Sequence, residues 1–190
     1  MLNNENRPWI AFFSQTGTEI VNIHKQLGVT PDMIVTNNRP SHLRTVNEYI
    51  YRNWGDKFYM LPNKPTVSNY KQIITKLHNP LITLHGWLRI VPKAIVEQYE
   101  IYNGHPALIN EHPELKGKDK QEDIFYHKNK YPVVGSVIHQ VTEGVDEGDI
   151  LISVSAPNTA KNLDDAYNIL YKTSFETWKT FFNSQKGLGK

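Results

Sequence analysis

The sequence predicts an α/β fold: a mostly parallel sheet with helices on both faces, formed as a single domain from residues 1–190. Three observations support this. Short apolar runs alternate with segments of helical periodicity through the first hundred residues, β-branched runs return after residue 133, and one long amphipathic segment closes the chain.

"WIAFFS" is an apolar run of strand length, followed by "QTGT" and then by "EIVNIHKQL", whose Ile20, Ile23 and Leu27 recur at helical spacing before Gly28 supplies a stop. "DMIVTNN" is a second strand, which completes a βαβ unit. Between Arg39 and Pro65 aliphatic runs are few and a helix is expected around "HLRTVNEYIYR". "SNYKQIITKLHN" places Tyr70, Ile73, Ile74 and Leu77 on one helical face, and Pro80 ends it before the strand "LITLHGW". "PKAIVEQYE" begins with Pro92 in a first helical turn and leads into the short run before Asn103. "VVGSVIHQV" and "DILISVSA" read as neighbouring strands joined by "TEGVDEGD", and "LDDAYNILYKTSFETWKTFFN" reads as a C-terminal helix with an acidic start and an aromatic face.

With 21 basic and 19 acidic residues the net charge is +2, so charge gives no ground for expecting nucleic acid or a membrane surface as partner. The lysines of "ELKGKDKQED" are interrupted by acids, as in a solvated loop. No cysteine is present, which excludes disulfides, thiolate metal sites and a cysteine nucleophile. The opening "MLNNENRPWIAFF" lacks the pattern of a secretory signal and no window has the length of a membrane span, so a cytoplasmic protein is expected. The histidines show no metal-ligand spacing, and no metal is expected.

The polar residues that stand out lie where strands end, in the loops "SQTGT", "HGWLRI", "NGHP" and "EGVDEG"; in a parallel sheet, ligands collect beyond those ends. Asn103 and His105 are two residues apart, so an extended backbone points both to one face. A neutral amide and a protonated imidazole suit an oxyanion forming on an attacked carbonyl. A capped turn with a histidine satisfied by backbone is the plain alternative. Asp146 would matter beside His105, where it would hold the imidazole charged and take a proton from an amine nucleophile. "SQTGTEI" could offer backbone N–H groups and the Thr18 hydroxyl to a phosphate, or Thr16 and Thr18 could cap the helix. Its one glycine, where dinucleotide loops have three, argues against a dinucleotide cofactor. By alternation with Val137 and Val141, His139 reads as a histidine satisfied within a sheet.

In combination these segments resemble the folate-dependent formyltransferase family, in layout closest to its glycinamide ribonucleotide branch, over residues 9–182. "FFSQTGTEIVNI" is similar to the family's opening strand and phosphate loop, "IVTNNRP" to the end of its second strand, and "HGWLRIVP" to its folate-contacting strand end. "NGHPAL" matches Asn-x-His-Pro-Ser-Leu, "LKG" matches Phe-x-Gly, and "GSVIHQVTEGVDEGDIL" matches Gly-x-x-x-His-x-Val followed by Asp-x-Gly. The resemblance implies a Rossmann-like formyltransferase fold and the one-carbon chemistry of purine biosynthesis. The co-substrate would be 10-formyltetrahydrofolate and the partner a small-molecule amine, phosphorylated or nucleotide-linked, such as glycinamide ribonucleotide or an amino-sugar nucleotide. It makes Asn103, His105 and Asp146 catalytic, and places Leu88, Arg89, Ile90, Val91, Val141, Thr142, Glu143 and Val145 around the folate. Gly17, Thr18 and His139 fall on the acceptor side.

The departures fall on that same side. Glu19 stands where the glycinamide ribonucleotide enzymes have an asparagine beside the phosphate, and Tyr171 and Ser174 stand for a glutamine and a glutamate that hold the same substrate. Two other readings fit the same trio: a hydrolase that discharges the formyl group to water, and a catalytically idle folate-binding module.

Overall fold

The computed structural model describes residues 7–38, 40–117 and 120–186. Residues 1–6 of the opening stretch, Arg39, and Lys118 and Asp119 of the lysine-rich stretch lie outside the described residues. Seven strands form one sheet in the order β3-β2-β1-β4-β5-β6-β7. They are β1 (Trp9–Phe13), β2 (Met33–Thr36), β3 (Phe58–Met60), β4 (Leu81–Leu84), β5 (Ile101–His105), β6 (Val133–Gln140) and β7 (Ile150–Pro157). The first five are parallel, and β6 and β7 run antiparallel, as a β-branched pair joined by a glycine-bearing loop predicts.

The helices are α1 (Thr18–Leu27), α2 (Glu48–Trp54), α3 (Val67–Ile74), α4 (Lys93–Val96), α5 (Lys120–Tyr126) and α6 (Leu163–Lys186). Both faces of β1 are fully buried, and its alternation divides the core. Trp9, Ala11 and Phe13 pack with α1, α2 and α6, whereas Ile10 and Phe12 pack with α3 and α4. Ile10, Phe12 and Phe13 each contribute about 1.5–3 kcal/mol on burial, so this strand anchors both layers. No helix among the described residues is long and apolar enough to cross a membrane.

Several elements differ from the sequence expectation: α3 ends at Ile74, short of Leu77 and Pro80, and α4 holds only Lys93–Val96. The helix around residues 42–52 begins only at Glu48, where the Asn47 side chain accepts from the Tyr49 N–H at 3.0 Å; Pro40–Thr45 forms a 3-10 turn instead. β3 and α5 were not expected: β3 is three residues long and α5 buries Ile124 alone, so neither has a period to read. The region from 40 to 65 thus packs on the sheet, with Ile50 and Trp54 in the core.

Local chemistry fixes the loop after β1. Gly17 has φ +71°, and a Cβ there would sit 2.6 Å from Ile50 Cδ1. Glycine is therefore required on both counts. β1 pairs with β2 on one side and β4 on the other, so the chain order reverses at this loop, the place where ligands enter open α/β sheets.

Candidate active site

Two cavities open at this rim. The larger, about 500 Å³, is lined by Trp87–Val91 after β4, by Asn103 and His105 of β5, and by Val141, Thr142, Val145 and Asp146 of the β6–β7 loop. The smaller, about 240 Å³, lies between the start of α1 and α6, with Gly17, Thr18, Glu19, His85, Tyr171 and Ser174 in its wall. Gln15, Gly86, Gly104, Pro106 and Gln121 line both. The end of β5 is thus a shared partition.

Strand alternation explains the partition. Asn103 and His105 point to one face of β5, and Gly104 points to the other, where Trp178 of α6 lies so close that a Cβ would be 2.8 Å from its ring. The glycine between the two polar residues lets the aromatic face of α6 close on the strand.

On the polar face four side chains meet. The antiparallel register sets His139 opposite Asn103, with His139 Nε2 3.1 Å from Asn103 Nδ2. Asp146 completes the group from the loop, in a left-handed backbone conformation (φ +52°) that aspartate tolerates better than most residues. Its Oδ1 is 3.2 Å from His139 Nε2 and accepts from Asn103 Nδ2 at 3.4 Å. Its Oδ2 is 3.3 Å from His105 Nδ1 and accepts from the Gly117 N–H at 2.9 Å. Burial pushes the Asp146 carboxyl up, but the His139 hydrogen bond, His105 and the Gly117 amide outweigh it and hold the group at about 2.

His105 differs from the protonated oxyanion donor expected of it. Nε2 donates to the Leu115 carbonyl at 2.9 Å, Nδ1 faces Asp146, and burial pushes its pKa down against the pull of that carboxylate. Both ring nitrogens thus have partners within the protein, and Asn103 is the amide donor at the strand end. His139 is buried, as a sheet histidine would be. Its Nδ1 donates to the Gln140 carbonyl at 2.9 Å, so Nε2 either accepts from Asn103 or, when protonated, donates to Asp146.

Leu88, Arg89, Ile90 and Val91 line the larger cavity. The Arg89 guanidinium is tied to the Asn63 carbonyl at 2.6 Å and to the Asn63 side chain. Ile90 is 70% exposed, a bare apolar side chain at the cavity mouth. Glu143 does not line the cavity; it pairs with Lys93 at 2.8 Å on the surface. Gly17 and Thr18 line the smaller cavity, and His139, grouped with the acceptor by resemblance, lines the larger one.

One residue of the candidate site escaped the sequence reading. His85 lies in the smaller cavity with its Nδ1 2.7 Å from Glu19 Oε2. The signal was present in "LITLHGW": Ile82 and Leu84 share one face of a buried strand, so Thr83 and His85 on the other needed polar partners. Among the described residues no group of three or more histidine or acidic side chains is placed to hold a metal ion.

A model of the family described as formyl transferase matches residues 35–175, more than half of the chain. A curated phosphoribosylglycinamide formyltransferase of Dictyostelium discoideum is 28% identical over 99 residues, which cover 46% of this chain and 48% of that protein. The match thus spans about half the length of the curated relative. Among solved structures, a phosphoribosylglycinamide formyltransferase from Streptococcus pneumoniae superposes with a TM-score of 0.72 at 21% identity, over 93% of this chain and 99% of the other. One from Anaplasma phagocytophilum gives 0.73 at 20% identity, over 90% and 83%. One from Brucella melitensis gives 0.72 at 16% identity, over 97% of each chain. At these identities the superpositions establish a common fold.

Proposed function

Because the chain belongs to the formyl transferase family, we propose that it moves a formyl group from 10-formyltetrahydrofolate to the primary amine of a small molecule. The observation that carries this reading is the partition: two cavities of different size meet at Asn103–Gly104–His105, with a part-buried carboxylate beside the junction. The larger, mostly apolar cavity fits a flat pterin; the smaller takes the acceptor.

In this reading the amine nitrogen attacks the formyl carbon and the carbonyl electrons move to oxygen. Asn103 Nδ2 turns a hydrogen from its internal partners to that oxyanion. The nitrogen becomes cationic, and Asp146, ionised throughout at about 2, steadies that charge and draws off the proton. Each Asp146 oxygen lies beside an imidazole nitrogen, so the proton can rest on a ring rather than on the carboxyl. Breaking the bond to the folate nitrogen, with a proton returned to it, yields the formamide and tetrahydrofolate. Holding both reactants at one strand end supplies the rest of the rate.

The test is spectroscopic: tetrahydrofolate release is followed with and without a panel of amines, with glycinamide ribonucleotide as the reference acceptor. Release that requires an amine supports the transferase. Equal release without any amine contradicts it and favours hydrolysis.

A further inference from the structure

The smaller cavity carries one carboxylate. Its wall contains Glu19 but no lysine or arginine among the described residues. Ser174 Oγ donates to Glu19 Oε1 at 2.6 Å and His85 Nδ1 donates to Oε2 at 2.7 Å. Behind His85, its Nε2 is 2.8 Å from Thr83 Oγ1, which accepts the Trp9 indole N–H at 2.7 Å. Indole can only donate, so Thr83 Oγ1 accepts from Trp9 and meets His85 Nε2 with its remaining capacity, while His85 gives the proton on Nδ1 to Glu19. The contacts run Trp9 to Thr83 to His85 to Glu19. They end on an anion.

Two further observations agree with an ionised Glu19. Burial pushes the Glu19 carboxyl up, yet the hydrogen bond and the charge of His85, with the Ser174 hydrogen bond, prevail and the net direction is down. The Tyr171 phenol is pushed up, first by burial and then by the Glu19 charge. The start of α1 is also partly spent, since the Thr18 N–H already donates to Thr16 Oγ1 at 3.2 Å. A phosphate entering here would meet a fixed like charge and one fewer free donor.

The same wall suits hydroxyl groups. A carboxylate with both oxygens positioned retains lone pairs for O–H donors. Tyr167 and Tyr171, one turn apart on α6 and 44% and 46% exposed, stand at the cavity with open ring faces. On the premise that the enzyme transfers formyl groups to amines, we propose that this cavity excludes phosphate and takes a neutral hydroxylated ring, so that the acceptor is an amine carried on an unphosphorylated sugar.

The experiment combines a binding arm with a turnover arm. Inorganic phosphate is titrated calorimetrically into the wild type, Glu19→Asn and the isosteric Glu19→Gln. Tetrahydrofolate release is then measured with matched amines, glucosamine against glucosamine 6-phosphate and glycinamide riboside against glycinamide ribonucleotide. The expected result is phosphate affinity at least about tenfold weaker in the wild type than in either variant, with the unphosphorylated member of each pair preferred about tenfold in kcat/KM. The Glu19 variants should narrow that preference. Phosphate affinity equal in all three proteins, or a wild-type preference for the phosphorylated amines, overturns the proposal. Absence of turnover with every amine, with phosphate still excluded by wild type and admitted by the variants, removes the transferase reading and upholds phosphate exclusion by the cavity.

Discussion

The two cavities are each built around a carboxylate held by imidazole, Asp146 by His105 and His139 and Glu19 by His85. In both, the hydrogen-bond partners outweigh burial and keep the acid ionised. Their supports differ. Asp146 sits on a loop between Gly144 and Gly148, in a backbone conformation few residues adopt, and collects donors from β5, β6 and the Gly117 amide. Glu19 is locked into the first turn of a ten-residue helix and tied to α6 through Ser174. The loop carboxylate lies within reach of the Asn103 amide, whereas the helix carboxylate is held between Ser174 and His85. In the proposed function the first serves chemistry and the second recognition.

Removing the charge at the chemical end should have the largest effect. Asp146→Asn is expected to lower turnover about 100- to 10,000-fold while folate affinity, measured by fluorescence titration, stays within a few-fold. Unchanged turnover would place the proton path elsewhere. Asn103→Ala, which deletes the oxyanion donor, should cost about 100- to 1000-fold in kcat with little change in KM for the folate. A rise in KM alone would make Asn103 a binding residue.

The partition can be tested through stability. Gly104→Ala drives a methyl group against Trp178, and overpacking of this kind costs about 1–3 kcal/mol, read as a lower melting temperature. No loss of stability would mean that α6 has slack against β5.

The acid limb gives the smallest signal. The Asp146 carboxyl is held at about 2 in the folded protein, below its ordinary 3.8, so its contribution is present above the unfolded value and is lost as pH falls through the folded one. That difference is worth about 2 kcal/mol, and chemical denaturation between about pH 5 and 2 should show a shallower loss in Asp146→Asn than in the wild type. Parallel slopes would contradict the hydrogen-bonded carboxylate.

Much of this architecture was legible in the sequence because it depends on local period. β1, α1 and β2 follow from runs of buried residues and from Gly17 and Gly28, and the same logic finds α3, β4, β6, β7 and α6. β3 was not legible, since its three residues are only partly buried and join the sheet through pairing with β2. The two-residue spacing of Asn103 and His105 gave their common face, but the state of His105 depends on Leu115 and Asp146, brought to it by tertiary folding. Periodicity placed His139 in the sheet and could not show Asp146 beside its outer nitrogen. The Glu19–His85 pair spans 66 positions, and only the folded sheet joins its ends.

The most direct test of formyl transfer at the end of β5 follows the carbon itself. Wild type and Asp146→Asn are incubated with 10-formyltetrahydrofolate labelled with carbon-13 in the formyl group, together with the amine panel, and the label is located by NMR. The account predicts a labelled formamide on one amine, formed by the wild type and reduced at least about 100-fold in the variant. Labelled formate released at the same rate with and without amine, or a formamide formed equally well by Asp146→Asn, would contradict it.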